Sequence, residues 1–192
     1  MKKTNKLILI GGLPGSGKSF IGKKLLKYAE VFIDKDTVTR HFTEALLLLL
    51  GCDKHDRESE IYLSQVKDLE YETILSQAME NLELKHNVIC SAPFISQFRD
   101  STWLNCVTHQ ANEYGAEVVK IWIHTDENTA KERITARGAK RDTGKLLNWD
   151  TYMMQIKSLP AIQLSDLIVI DNSPFSIIPL IKQLECVAMH LK

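Results

Sequence analysis

The sequence predicts an α/β fold, a parallel sheet with helices packed on both faces. Three observations carry that expectation. Short apolar runs and helical stretches alternate five times along the 192 residues, the pattern of strand–crossover–strand units with right-handed connections. A glycine-rich loop, Gly12-Leu13-Pro14-Gly15-Ser16-Gly17-Lys18-Ser19, joins the first apolar run to the first helical stretch. The side chains suited to chemistry fall just after the apolar runs, at the strand ends where open parallel sheets collect ligands.

Each element follows from its local pattern. Lys6 to Ile10 is the first strand, with Leu7-Ile8-Leu9-Ile10 unbroken by polar residues, as in a strand buried on both faces. Phe20 to Tyr28 places Phe20, Ile21, Leu25, Leu26 and Tyr28 at helical spacing. Val31-Phe32-Ile33 is a second strand ending at Asp34-Lys35-Asp36, and Thr37 to Leu50 is a helix stopped by Gly51. Gly51 to Glu58 is a polar loop. Ser59 to Lys85 is helical, as one long helix or two short ones. Asn87 to Cys90 is the third strand, Gln97 to Tyr114 a helix, Ala116 to Ile123 the fourth strand, and Thr125 to Arg137 a helix ending at Gly138. Ala139 to Leu147 is polar and basic. Asn148 to Leu159 is a helix ended by Pro160, Asp166 to Ile170 the fifth strand, and Ile177 to Leu191 a last helix with Pro179 in its first turn.

Composition narrows the function classes. Hydrophobic residues make up 44% and charged residues 25%, the profile of a soluble globular protein. Lys+Arg and Asp+Glu both number 24, a net charge of zero, which weighs against bulk attraction to nucleic acid. Cys52, Cys90, Cys106 and Cys186 show no paired spacing, and the six histidines form no metal pattern, so reduced cysteines in a cytoplasmic protein are expected. Met1-Lys2-Lys3 before an apolar run has the look of a leader, but the run is too short and the glycine loop follows at once. The five leucines Leu46 to Leu50 are far short of a membrane span.

The loop reads G-x-x-x-x-G-K-S, the phosphate-binding P-loop, and sits between a strand and a helix as that chemistry requires. Glycine at 12, 15 and 17 allows backbone angles that let successive N–H groups line one concavity, and the helix N-terminus adds partial positive charge. Lys18 is placed to reach the β- and γ-phosphates and Ser19 to bind Mg²⁺. Pro14, Ser16 and Phe20 complete the expected nucleotide-binding stretch. Asp34 and Asp36 leave the second strand two apart; in an extended chain both face one way, toward the phosphates. A phosphotransferase needs such carboxylates near the acceptor hydroxyl and the metal. Asp36 also suits the N-cap of the helix beginning at Thr37. Arg133 and Arg137 share one helix face and Arg141 follows, a set that can stabilise a transferring phosphoryl group or simply form a solvated basic face. Arg99 is a candidate for an acidic substrate, and Asn172 for contact with a nucleotide base or for a turn.

Three segments, GGLPGSGKS near the start, FIDKD on the second strand and AKERITARGAKRD late in the chain, resemble those of the small P-loop kinases. These include shikimate and gluconate kinases, chloramphenicol phosphotransferase, zeta toxins and polynucleotide 5′-kinases. The resemblance covers nearly the whole length. It implies a three-layer P-loop nucleoside-triphosphate hydrolase fold, five parallel strands in the order 2-3-1-4-5, ATP with Mg²⁺, a helical cap and a lid. It gives Asp36 the role of base or orienting group, Asp34 a place near Mg²⁺, Arg133 a stacking contact with adenine, and Arg137 a phosphate contact. Many P-loop proteins carry an Asp at the end of strand three to help hold the metal. Here Cys90-Ser91-Ala92 has none, which leaves Asp34 acting through water, or a weakly held ion. RGAKRDTGKLLNWDTY is also similar to AAA-type bacterial ATP-binding proteins without an assigned substrate.

The expected function is transfer of the γ-phosphate of ATP to a hydroxyl of a small molecule, within one kinase domain spanning residues 1–192. Residues 37–85, within the more than fifty residues that separate strands two and three, form the expected acceptor-binding cap, and 138–148 the lid. Lys18, Asp36, Arg137 and Arg141 are the expected catalytic set. On the cap, Arg40, His41, His55, Arg57 and Tyr62 are candidate acceptor contacts, equally suited to surface or packing roles; Asp36, Arg40 and Arg99 are the candidate substrate set. The alternatives are a polynucleotide 5′-kinase, which needs a basic groove leading to Asp36, and a regulatory ATP-binding protein or ATPase without a small-molecule acceptor. A GTPase is excluded by the lack of an Asn-Lys-x-Asp guanine motif.

Overall fold

The computed structural model describes residues 4–191; the basic start Met1-Lys2-Lys3 lies outside them. The elements in chain order are β1 (Asn5–Gly12), α1 (Lys18–Leu25), β2 (Val31–Asp34), α2 (Lys35–Val38), α3 (Arg40–Leu49), α4 (Lys67–Glu83), β3 (Val88–Ser91), α5 (Ser101–Glu113), β4 (Ala116–His124), α6 (Glu127–Arg137), α7 (Thr143–Leu147), α8 (Trp149–Ser158), β5 (Leu167–Asp171) and α9 (Leu180–Leu191). The strands form one sheet in the order β2-β3-β1-β4-β5, every neighbouring pair parallel. This is the order and fold class expected.

The sheet is covered on both faces because β1 is apolar on both. Alternate residues point to opposite sides. Leu7 and Leu9 pack with Ile74, Ala78 and Leu82 of α4 and Leu104 and Val107 of α5. Ile8 and Ile10 pack with Ile21 and Leu25 of α1 and Val187 and Leu191 of α9. The central position of β1, paired with β3 on one side and β4 on the other, puts the loop that follows it in the middle of the carboxyl edge of the sheet.

Several expected boundaries move, each for a local reason. Strand two ends at Asp34, whose carboxylate accepts from the Thr37 N–H and caps α2. Asp34, not Asp36, is therefore the N-cap, and Asp36 lies in the first helical turn rather than in an extended chain. The expected helix from Thr37 is two, α2 and α3, meeting at Thr39. Residues 59–85 enter α4 through a π-helical turn, Tyr62–Val66. The expected helix from Gln97 is a 3₁₀ turn, Gln97–Arg99, and then α5, restarted by the Asp100 side chain accepting from Trp103 N–H at 3.0 Å; a short carboxylate that bonds nearby amides favours a new cap over helix continuation. The polar stretch from Ala139 is ordered as a 3₁₀ turn, Lys140–Asp142, and α7. Pro179 precedes α9 and receives the N–H groups of Lys182 and Gln183 on its carbonyl. All four cysteines are free. Among the described residues no helix is long and apolar enough to cross a membrane.

Ile8→Ala removes a fully buried side chain from the central strand. The expected loss is about 2–5 kcal/mol of unfolding free energy, read from the midpoint of urea denaturation.

Candidate active site

The phosphate loop is shaped by contacts that only glycine permits. Gly15 and Gly17 have φ of 78° and 95°. A Cβ on Gly15 would strike the Ala130 carbonyl of α6, and one on Gly17 the Asn172 amide. The loop is thus pressed against α6 on one side and the turn after β5 on the other. The Asn172 side-chain amide donates to the Ser16 carbonyl at 2.8 Å. Arg133 donates to the Asn172 carbonyl at 2.9 Å and reaches the Gly15 carbonyl at 3.4 Å. Gly12 N–H donates to the Pro93 carbonyl at 3.0 Å, tying the loop to the chain leaving β3. Gly12, Ser16 and Asn172 therefore build the loop from behind.

Lys18 folds back over the loop, its Nζ donating to the carbonyls of Gly12 and Leu13 at 2.8 and 2.9 Å. Burial of the ammonium lowers its pKa to about 8, against the opposing pull of Asp36 and Asp34. Ser19 Oγ donates to Asp34 Oδ2 at 2.6 Å. Asp34 pairs in register with Ser91 at the end of β3, so a carboxylate one strand over stands beside the position where strand three has no acid. The hydroxyl and carboxylate are the hard oxygen donors that Mg²⁺ takes. No cluster of three or more His, Cys, Asp or Glu forms a metal cage among the described residues.

Asp36 is the meeting point of the charges. Its Oδ2 lies 3.0 Å from Arg141 Nη2, and its Oδ1 3.7 Å from Lys35 Nζ. Burial alone would raise its pKa, but Lys35, Arg141, Lys18 and Arg137 together hold it below the usual carboxylate value. Arg137 donates through Nε and Nη2 to Asp142 Oδ2 at 3.1 and 2.6 Å.

Two pockets share this centre. A smaller one of about 230 Å³ is lined by Gly15, Gly17, Lys18, Ser19, Phe20, Asp34, Asp36, Arg133, Arg137 and Arg141, with Ser91 to Pro93. It gathers most of the expected nucleotide, metal and catalytic residues. A larger one of about 470 Å³ opens on the other side, between residues 57–67, the Ile95–Gln97 segment and α8. Lys18, Asp36, Pro93, Arg137 and Arg141 line both. Pro14 faces the larger pocket. Arg40 lines a side pocket of about 190 Å³ with Asp36, His55, Arg57 and Arg141. Arg99 lines none of these: it donates to the backbone carbonyls of Ile95 and Pro160, bracing the loop after β3 against the chain after α8.

Lys35 and Glu70 are essential to this arrangement and carry no signal of their own in the sequence, beyond the place of Lys35 between the two aspartates. Lys35 is 4% exposed and Glu70 2%, and the two form an ion pair. Glu70 also accepts from Thr43 Oγ1 and Tyr62 OH at 2.8 Å and Thr39 Oγ1 at 3.2 Å. Lys35 sits over the Tyr71 ring, 5.5 Å from its centroid. The π-helical turn delivers Tyr62 to this cluster.

A parallel 2-3-1-4-5 sheet, a Gly12–Ser19 phosphate loop in its central crossover and a Ser–Asp oxygen pair beside the loop define a P-loop nucleoside-triphosphate-binding protein of the kinase type of fold. The sequence matches a family profile, the AAA domain, over residues 7–159, and the chain belongs to that family. Among solved structures it is similar to a protein of Chloroflexus aurantiacus J-10-fl (19% identity, TM-score 0.65, 99% of this chain and 100% of that one). It is similar to a gluconokinase from Sinorhizobium meliloti 1021 (17%, 0.58, 99% and 93%) and to a sugar kinase from Janibacter sp. HTCC2649 (14%, 0.61, 97% and 94%). At these identities the likeness establishes the fold. No curated protein matches the sequence.

Two outcomes test the site. Lys35→Met leaves the Glu70 carboxylate buried without its partner, and the expected loss is about 3–5 kcal/mol by urea denaturation, with much of it recovered in Lys35→Met/Glu70→Leu. Lys18 must be protonated to hold phosphate. Its affinity contribution would therefore be full only well below its lowered pKa of about 8, half lost there, and lost as pH rises further. The Kd for ATP, measured by calorimetry, is expected to rise several-fold between pH 7.5 and pH 9, with proton uptake on binding that Lys18→Arg abolishes.

Proposed function

We propose that this protein is an ATP-dependent phosphotransferase that moves the γ-phosphate of ATP to a hydroxyl of a small molecule. The observation that supports this most is the shared wall of the two pockets. The pocket at the phosphate loop shares Asp36 with a second cavity large enough for a metabolite. A plain ATP-binding module has no use for the second cavity.

In this reading the phosphates lie on the loop, under Lys18, with Arg133, Arg137 and Arg141 around them. Ser19 and Asp34 would hold Mg²⁺, which supplies neutralisation of charge across the β- and γ-phosphates. The acceptor hydroxyl enters from the larger pocket and donates its hydrogen to Asp36. Its oxygen forms the new bond to the γ-phosphorus, and the bond to the bridging oxygen breaks, leaving ADP with the electron pair. The hydroxyl proton passes to Asp36 and then to solvent. The depressed pKa of Asp36 suits a carboxylate that stays ionised, orients the hydroxyl and takes the proton late, as a loose transition state allows. Lys18, Arg137 and Arg141 stabilise the equatorial oxygens. Residues 37–85 act as the acceptor cap and 138–148 as the lid, parts of one kinase domain. The free cysteines fit a reducing, cytoplasmic setting.

The test is ADP release by the purified protein with Mg·ATP, alone and with fractions of a cellular metabolite pool. Stimulation is expected from a metabolite fraction, and Lys18→Ala should abolish it. Asp36→Asn should lower the stimulated rate by about 10²–10⁴-fold while the Kd for ATP changes by less than about threefold. An unchanged rate in Asp36→Asn would remove Asp36 from the chemistry.

A further inference from the structure

The larger cavity carries more positive charge than its own carboxylates balance. Most of its cations already have partners. Lys35 is paired with Glu70, Arg137 with Asp142, Arg141 with Asp36, and Lys145 with Glu58. Lys18 is held on loop carbonyls and belongs to the phosphates. Two cations on the cap side of the wall remain, Arg57 and Lys67. Among the described residues neither has a carboxylate oxygen within 4.0 Å. Arg57 uses Nη1 on the carbonyls of Lys54 and Asp56, at 3.1 and 2.8 Å. That anchors the guanidinium over the Tyr62 ring, 5.4 Å from its centroid, and leaves Nε and Nη2 without protein acceptors among the described residues. Arg57 is held in place with only the neighbouring Asp56 carboxylate acting on its charge, Lys67 has no side-chain partner among the described residues, and an anion in the cavity would complete both.

Part of that wall is apolar, alongside the polar Ser96, Gln97 and Gln155. Leu63 is 49% exposed and Leu159 39%, and with Ile95, Ile156 and Tyr62 they face the same cavity. Large side chains left open to water around one cavity mark a surface made to be covered by a ligand.

We propose that the acceptor is an amphiphilic organic anion of metabolite size. Its hydroxyl meets Asp36, its apolar body lies against Tyr62, Leu63, Ile156 and Leu159, and its carboxylate, phosphate or sulfate is taken by Arg57 and Lys67. The inference rests on the phosphotransferase reading and adds the acceptor's chemical class. Arg57 offers a planar fork that pairs two oxygens of such a group, while Lys67 adds a point charge. The same pair rejects the uncharged analogue, because binding it would cover both cations without a counter-ion.

The experiment uses a metabolite extract below 1 kDa, split by anion exchange into retained and unretained fractions, with a 5′-hydroxyl oligoribonucleotide as a separate arm. ADP release is measured for the wild type, Arg57→Gln, Lys67→Gln and the charge-keeping Arg57→Lys and Lys67→Arg. The expected result is stimulation by the retained fraction. The concentration needed for half-maximal effect should rise at least tenfold in each Gln variant and recover in at least one charge-keeping variant, with the Kd for ATP within twofold throughout. Phosphatase treatment of the retained fraction then separates phosphate esters, which lose activity, from carboxylates and sulfates, which keep it. Stimulation by the unretained fraction, or equal response in the Gln variants, overturns the anionic acceptor while keeping the phosphotransferase. Stimulation by the oligoribonucleotide alone overturns the metabolite-sized acceptor. No stimulation in any arm, with ATP still bound, overturns the phosphotransferase reading and this inference with it.

Discussion

The Lys35–Glu70 ion pair is the constraint on which the region between β2 and α4 depends. It lies between the β2–α2 junction, which carries Asp34 and Asp36, and α4, which brings the chain back to the sheet. Glu70 gathers hydroxyls from α2–α3 and from the π-helical turn, so one carboxylate ties α2, α3 and α4 together. Lys35 passes that order to its neighbour, because the ammonium that satisfies Glu70 also stands 3.7 Å from Asp36. A buried pair of this kind is weak evidence for stability, since well-packed apolar residues often do as well. What it supplies here is position: Asp36 is held ionised and in place by a group that is itself anchored.

The nucleotide side rests on a different device. The phosphate loop is positioned by backbone and by glycine, with α6 and the Asn172 turn as its two stops. This explains how far the chain could be read without coordinates. The loop announces itself through local sequence, since glycine spacing, Lys18-Ser19 and the flanking apolar runs all lie within one strand–helix unit. The sheet order followed from resemblance, and the helices from period and caps. Element ends were harder, because Asp34 and Asp100 restart helices through single side-chain bonds that compete with simple continuation of the pattern.

The acceptor side was far less legible. Glu70 is one acid among many on an amphipathic helix, and its partner is thirty-five positions away in the chain. Nothing local distinguishes it. Arg99 looked like a substrate contact because it follows a strand end, yet its guanidinium is used on main-chain carbonyls. Arg57 and Tyr62 stood out only as polar and aromatic residues on a cap. Their joint meaning depends on which other cations of the cavity already have counter-charges, which is knowledge of three-dimensional pairing.

The bracing of α6 has a consequence for energetics. Arg133 and Arg137 are one turn apart, and each is tied to a different segment, the first to the Asn172 turn and the phosphate loop, the second to Asp142 just before α7. The backbone around the phosphates is thus cross-linked by side chains drawn from a single rigid helix. Much of the loss of conformational freedom that a loose loop would suffer on meeting its ligand was met when the chain folded. Whatever binds there meets donors whose directions are already set on the loop side, where α6 and the Asn172 turn hold the backbone.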